Sequence, residues 1–216
     1  MQGLPPLAYV AILVLLVVLL VFTLGTRRNI QKGNDVLGWL QDGLPVLGRR
    51  TSFRWLGSSA VVLHIAEAAD PFREAEVVIV MEPRDVMLWW VVSRRRGRRD
   101  FLILRGTLRG APRFELEAGD RAGWTGGDRL RRDIGEDWER GAWGDASVTV
   151  SHTRNADTDA ARRLWTDLGE ASGGVWRLSV RSDRPHVEVH VVTPDATASS
   201  ERLFRAFADL GRTVSG

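Results

Sequence analysis

The pattern of apolar and polar positions divides the chain into three stretches. The first is continuous: Leu7 to Leu24 is an unbroken run of 18 residues, apolar except for Tyr9 and Thr23, and residues 1–26 carry no charged side chain. At 1.5 Å per residue such a run makes about 27 Å of helix, close to the hydrocarbon thickness of a bilayer. It is therefore expected to be an uncleaved transmembrane anchor over residues 1–26. A signal peptide fits less well. No Lys or Arg precedes the run, it is longer than a usual signal core, and Thr23-Leu24-Gly25 is a poor cleavage site. Arg27, Arg28 and Lys32 follow it, so the positive-inside rule places the N-terminus outside and the rest of the chain in the cytoplasm of a cell membrane.

The second stretch, 27–118, begins with a juxtamembrane segment (27–58). Asn34-Asp35 is suited to cap a short amphipathic helix, Val36 to Gln41, with Gly43 and Pro45 ending it. Short β-branched apolar runs then follow at 60–65, 76–81, 101–104 and 114–117, and a helix is expected over about 84–96. Together 59–118 reads as a first α/β subdomain. Residues 119–145 differ: seven glycines and Trp124, Trp138 and Trp143 lie among many charges, which suggests an ordered connecting loop with one short helix near 128–139.

In the last stretch (146–216), strands are predicted at 147–150, 175–180 and 187–192. A helix spans Asp157 to Leu168, and a final helix carries the stripe Leu203, Phe204, Phe207, Leu210. The fold class expected is α+β: one transmembrane helix, then a soluble two-layer α/β sandwich, with two ferredoxin-like or split β-α-β subdomains as one arrangement of it.

Composition narrows the chemistry. There is no cysteine, which excludes disulfides, thiolate catalysis and cysteine-held zinc or iron–sulfur clusters. Lys32 is the only lysine, and the net charge is +3. The high pI, about 10.3, reflects how few groups titrate below pH 10 rather than a strongly basic surface. Charge is unevenly placed. Residues 27–113 hold 16 basic and 9 acidic groups, net +7, whereas 114–216 hold 14 and 18, net −4.

Two candidate sites follow. Arg94, Arg95, Arg96, Arg98 and Arg99 form a cluster behind the apolar run Val86 to Val92, which contains Trp89 and Trp90. Guanidinium groups pair with phosphates, and tryptophan beside arginine suits a membrane interface. Lipid headgroups or a protein partner are the expected ligands. A core helix with a solvated C-terminal end is the plainer alternative. Nucleic acid is disfavoured, because no recognised module appears.

The second candidate is His186-Val187-Glu188-Val189-His190. In a strand the His and Glu side chains share one face and are of metal-ligand type, but His186 and His190 lie about 13 Å apart, so convergence on one ion needs a bulge or help from His152 or Asp195. The plainer alternative is a polar outer face over Val187, Val189 and Val191. Acids at Asp128, Asp133, Glu136, Asp137 and Glu139 alternate with arginines and read as surface ion pairs.

Nucleotide-binding loops, nucleophile elbows and zincin motifs are missing, and no cofactor is expected. The function expected is a non-catalytic, membrane-tethered binding domain, an accessory or scaffold subunit. A membrane-tethered metal-dependent hydrolase and a tethered nucleic-acid binder are the alternatives.

Overall fold

A computed structural model describes residues 5–126, 134–135, 137–144, 146–194 and 198–215. The chain is α+β. Helix α1 (Pro6–Leu47) is one unbroken element of 42 residues. It is the one helix among the described residues long and apolar enough to cross a membrane. The short helix expected over 36–41 is the far end of α1. Gly43 and Pro45 do not stop it. Pro45 falls in the last turn, two residues before the helix ends, and Gly43 lies where a Cβ would strike Ser200 and Phe204 of another helix.

Nine strands follow: β1 (Thr51–Trp55), β2 (Ala60–Ile65), β3 (Phe72–Val80), β4 (Phe101–Leu108), β5 (Leu116–Asp120), β6 (Glu139–Trp143), β7 (Val148–His152), β8 (Val175–Val180) and β9 (Val187–Val192). Three more helices are α2 (Met87–Arg95), α3 (Thr158–Glu170) and α4 (Ser200–Ser215). The strands form one antiparallel sheet in the order β1-β2-β3-β4-β9-β8-β5-β7-β6. The two halves expected from sequence are therefore interleaved. β9 pairs with β4, and β5 lies between β7 and β8. Of the short helix expected near 128–139, residues 128–133 and 136 lie outside the described residues, and 139–143 is strand β6.

The core follows from strand alternation. Val61, Leu63 and Ile65 of β2, Val77 and Ile79 of β3, Leu102 and Leu104 of β4, and Val187, Val189 and Val191 of β9 are all buried in one cluster with Leu203, Phe204, Phe207 and Leu210 of α4. Burying each large side chain contributes about 1.5–3 kcal/mol. Phe72 and Phe207 stack with centroids 4.8 Å apart. α3 starts where Asp157 accepts a hydrogen bond from the Ala160 amide (2.9 Å), a regular N-cap.

The two ends of α1 behave differently. From Leu7 to Leu24 the helix is exposed apart from a few half-covered positions. From Gly25 onward it buries a stripe, Gly25, Asn29, Gly33, Val36, Leu40, Gly43 and Leu47, spaced at three and four residues. That spacing keeps one face on the domain. A Cβ at Gly25 would overlap the Arg84 carbonyl, and one at Gly33 would meet Trp55 and Met81. One rigid rod thus passes from the apolar run directly onto the sheet.

Candidate functional site

The arginine cluster lies where α1 first touches the domain. β3 ends at Val80, and Met81-Glu82-Pro83-Arg84-Asp85 leads into α2, crossing α1 at Gly25. Glu82 is buried. Its carboxylate accepts hydrogen bonds from Trp90 Nε1 and from Arg94 Nη1 (2.9 and 3.0 Å), and Arg84 lies 3.6 Å away. Arg84 donates to both carboxylate oxygens of Asp100 (2.9 Å each) and to Asn29 Oδ1 on α1 (3.1 Å). Asp100 also accepts from the Glu82 amide at 2.8 Å. These side chains join α1, the end of β3, α2 and the start of β4.

Burial by itself would lower the Arg84 pKa. The Asp100 hydrogen bonds and the charges of Asp100 and Glu82 outweigh it and raise the pKa above its ordinary value. For Arg98 burial wins over the same two acids and its pKa is lowered, though a guanidinium stays charged at neutral pH.

The members of the cluster therefore have different surroundings. Arg94 is tied to Glu82 and lies over the Trp90 ring, 5.8 Å to its centroid. Arg98 donates to the Met81 carbonyl (3.3 Å) and covers Trp124. Arg99 donates to the carbonyls of Arg94 (3.0 Å) and Arg98 (2.7 Å). Arg95 and Arg96 are exposed, and among the described residues neither makes an ion pair or side-chain hydrogen bond. α2 is not a core helix. Its single buried residue is Ser93, while Val86, Met87, Leu88 (80%), Trp89 (47%), Val91 and Val92 are exposed. Leu56, in the β1–β2 turn, is also exposed, and Ser58 of that turn donates to Asp85 (2.8 Å), holding it beside α2.

His186, Glu188 and His190 do not converge. His186 is buried, and its Nδ1 accepts from the Leu108 amide at 3.0 Å. Burial, then the Arg184 charge, lowers its pKa and keeps the ring neutral. Glu188 instead faces Arg105 Nε (2.8 Å), Arg177 Nη1 (3.4 Å) and His190 Nε2 (2.9 Å). Burial works to raise its pKa. The hydrogen bonds and charges of His190 and Arg105 reverse this and hold it at about 2. Among the described residues no three His, Asp or Glu side chains are grouped to hold a metal ion. His152 hydrogen-bonds the Thr153 carbonyl on β7, and Asp195, Asp128, Asp133 and Glu136 lie outside the described residues. Glu139 pairs with exposed Arg154 at 3.6 Å. Asp137 borders a groove with Glu115 and Arg181.

Glu188 belongs to a larger feature that the sequence reading missed. Strand register aligns Ser52, His64, Glu76, Arg105, Glu188, Ser179, Glu117, Ser151 and Arg140 across all nine strands. Their side chains alternate with the buried apolar set. Arg105 bridges Glu76 (2.9 Å) and Glu188, while fully buried Glu117 takes Arg177 (2.5 Å), Arg181 (3.1 Å) and Ser179 (2.7 Å). A groove of about 310 Å³ runs beside Glu76, Arg105 and Glu188. The strands of the middle members are anticipated from the sequence, but not β1 or β6, nor the register that joins all nine.

Compared with known proteins, the chain matches no family model and no curated sequence.

Proposed function

We propose that this chain is a single-pass membrane protein whose cytoplasmic domain is seated on the bilayer, with α2 in the interface, as a non-catalytic binding subunit. One observation carries the reading. α1 continues without a break from the apolar run to the sheet, and Gly25, one residue beyond Leu24, is the point at which α2's leading segment meets it. The exposed apolar side chains of α2 and Leu56 then lie at the level where an acyl region gives way to headgroups. Trp89 is suited to that boundary. Arg95 and Arg96 carry charge to the anionic headgroups, and Arg94, Arg98 and Arg99 hold the local structure. Arg27, Arg28 and Lys32 favour a cytoplasmic domain by the positive-inside rule. In this reading the domain is a two-layer sandwich with its helices on one sheet face. It leaves α2 as the element turned to the membrane.

The hydrolase alternative has no convergent ligand set to rest on among the described residues. The nucleic-acid alternative has no recognised binding module in the sequence to rest on.

The absence of cysteine makes a clean test available. A fluorophore sensitive to polarity is attached at Leu88→Cys in the full-length protein in nanodiscs, with His64→Cys as the solvent control. The Leu88 label is expected to emit at shorter wavelength and to be quenched by nitroxide lipids. Equal emission and equal quenching at the two sites would overturn the interfacial placement.

A further inference from the structure

The two edges of the sheet are unequal. The β6 edge is exposed along Glu139 to Ala142 but carries two charges, Glu139 and Arg140, and ends in Trp143, buried against Trp165 with centroids 5.9 Å apart. At the other edge, β1 is exposed along Thr51 to Arg54, has no proline, and pairs with β2 in unbroken register. Natural proteins usually blunt such an edge with lysine, proline or a bulge. Here one charge, Arg54, is the only such device.

A groove of about 420 Å³ lies beside this edge, between β1 and the side of α1. Its walls include Leu37, Gly38 and Leu44 of α1 and Phe53 and Leu63 of the sheet. Phe53 pairs with core-facing Leu63 yet is 63% exposed. A Cβ at Gly38 would meet nothing within 4 Å. The two sides of β1 differ in character. On the groove side it presents Phe53. On the other side it presents Arg54, which pairs with no acid among the described residues, and Arg49 precedes the strand in the same condition.

We propose that β1 is a docking edge for an extended segment of another protein, which adds as a tenth strand, puts apolar side chains into the groove and presents acidic ones to Arg54 and Arg49. Backbone pairing supplies affinity, and the two unlike sides of the edge supply the alternating apolar–acidic preference. A second copy is a poor occupant. β1 runs alongside α1, from the Leu44 level to Trp55 at Gly33. Two copies in one membrane are related by an axis along its normal, which would bring the two β1 strands together in parallel at equal height. In a parallel ladder a residue that turns both backbone groups toward its neighbour must face one that turns both away, so equal positions cannot pair. The partner's nearness to the membrane rests on the proposed function above; the strand pairing does not.

The test uses full-length protein in nanodiscs of zwitterionic lipid, so that anionic headgroups play no part. The probe is an acetylated, fluorophore-labelled heptapeptide that alternates glutamate with leucine. It is compared with the same residues in scrambled order and with a version N-methylated at alternate amides. The alternating peptide is expected to bind at least tenfold more tightly than either. Gly38→Phe, which fills the groove, should weaken it by a similar factor, and Gly38→Ala should leave it intact. Equal binding of alternating and scrambled peptides, or binding unaffected by N-methylation, would overturn the proposal. So would a dimer in detergent that Gly38→Phe disperses, because the edge would then serve self-association. A Leu88 label on the same nanodiscs reports membrane seating separately, so the two readings fail independently.

Discussion

Two groups of arginines in this molecule look alike in sequence and differ in circumstance. Arg105 and Arg177 lie on the sheet and Arg181 just past the end of β8, and each is held by a glutamate, Glu76, Glu188 or Glu117, at 2.5–3.1 Å. Arg94 to Arg99 lie at the end of α2, where Arg94 is held by Glu82 while Arg95 and Arg96 extend into solvent. The first group is the local solution to carrying charge on a half-buried sheet. The second combines anchors with two charges that nothing described neutralises. Density of arginine along the chain therefore marks neither group as functional; what distinguishes them is whether strand register delivers a carboxylate. The contrast makes opposite forecasts. Disturbing the sheet group should cost stability, and disturbing Arg95 and Arg96 should cost binding.

The largest effect is expected at Glu117. It is fully buried beneath Arg177 and Arg181 and accepts from Ser179. Glu117→Gln keeps the shape and removes the charge that both arginines share. Breaking a buried pair in this way typically costs about 3–5 kcal/mol. Chemical denaturation of the full-length protein in detergent measures it. A loss below about 1 kcal/mol would show that the sheet arginines are as loosely held as Arg95 and would collapse the comparison.

Next comes acid sensitivity through Glu188. Its pKa is held at about 2 in the folded protein, against an ordinary value of 4.5. A carboxylate depressed in this way contributes stability that is complete above the unfolded-state value and is lost as pH falls through the folded value. The window is thus pH 4.5 down to 2, and the contribution is about 3 kcal/mol. Stability measured across that window should fall, and Glu188→Gln should flatten the fall. An unchanged slope in the variant would assign the acid sensitivity to other carboxylates.

The elements themselves were largely legible. Val175–Val180 and Val187–Val192 alternate so regularly that both strands match their expected bounds, and Asp157 and the Leu203–Leu210 stripe announce α3 and α4. Three features were not. Thr51–Trp55 has only two alternating apolar positions, Phe53 and Trp55, too short a pattern for periodicity to register. Glu139–Trp143 is similar, with Trp143, which meets Trp165, as its one large apolar residue. The continuity of α1 was hidden by Gly43 and Pro45, which read as its end, whereas Gly43, like Gly25 and Gly33, is a point of close approach. At the candidate site, Arg94 to Arg99 were identifiable as a cluster. Glu82, Arg84 and Asp100 sit among them in sequence, yet their roles depend on Asn29, more than fifty residues away along the chain. Such a contact has no local signature.

The smallest effect on stability, and the most informative about function, is expected at Arg95 and Arg96. Both are exposed, and surface charges without a partner usually change stability by less than about 0.5 kcal/mol. Arg95→Gln with Arg96→Gln should therefore leave the denaturation midpoint nearly unmoved. Binding should respond quite differently. Each basic residue near an anionic surface contributes about 1 kcal/mol, so removing two predicts a fall of roughly 30-fold at low salt. The difference should shrink as ionic strength rises and the screening length drops to about 10 Å near 0.1 M. Because α1, as the proposed anchor, would by itself keep the protein in lipid, the measurement must read α2 rather than the whole chain. Quenching of the Leu88 label by a nitroxide on anionic headgroups, compared with the same nitroxide on zwitterionic ones, does so. Loss of the anionic preference with an intact fold would separate the two arginine groups completely. An unmoved preference together with an intact fold would make Arg95 and Arg96 solvated ends of a helix, and would leave the interfacial reading to rest on Leu88, Trp89 and Leu56 alone.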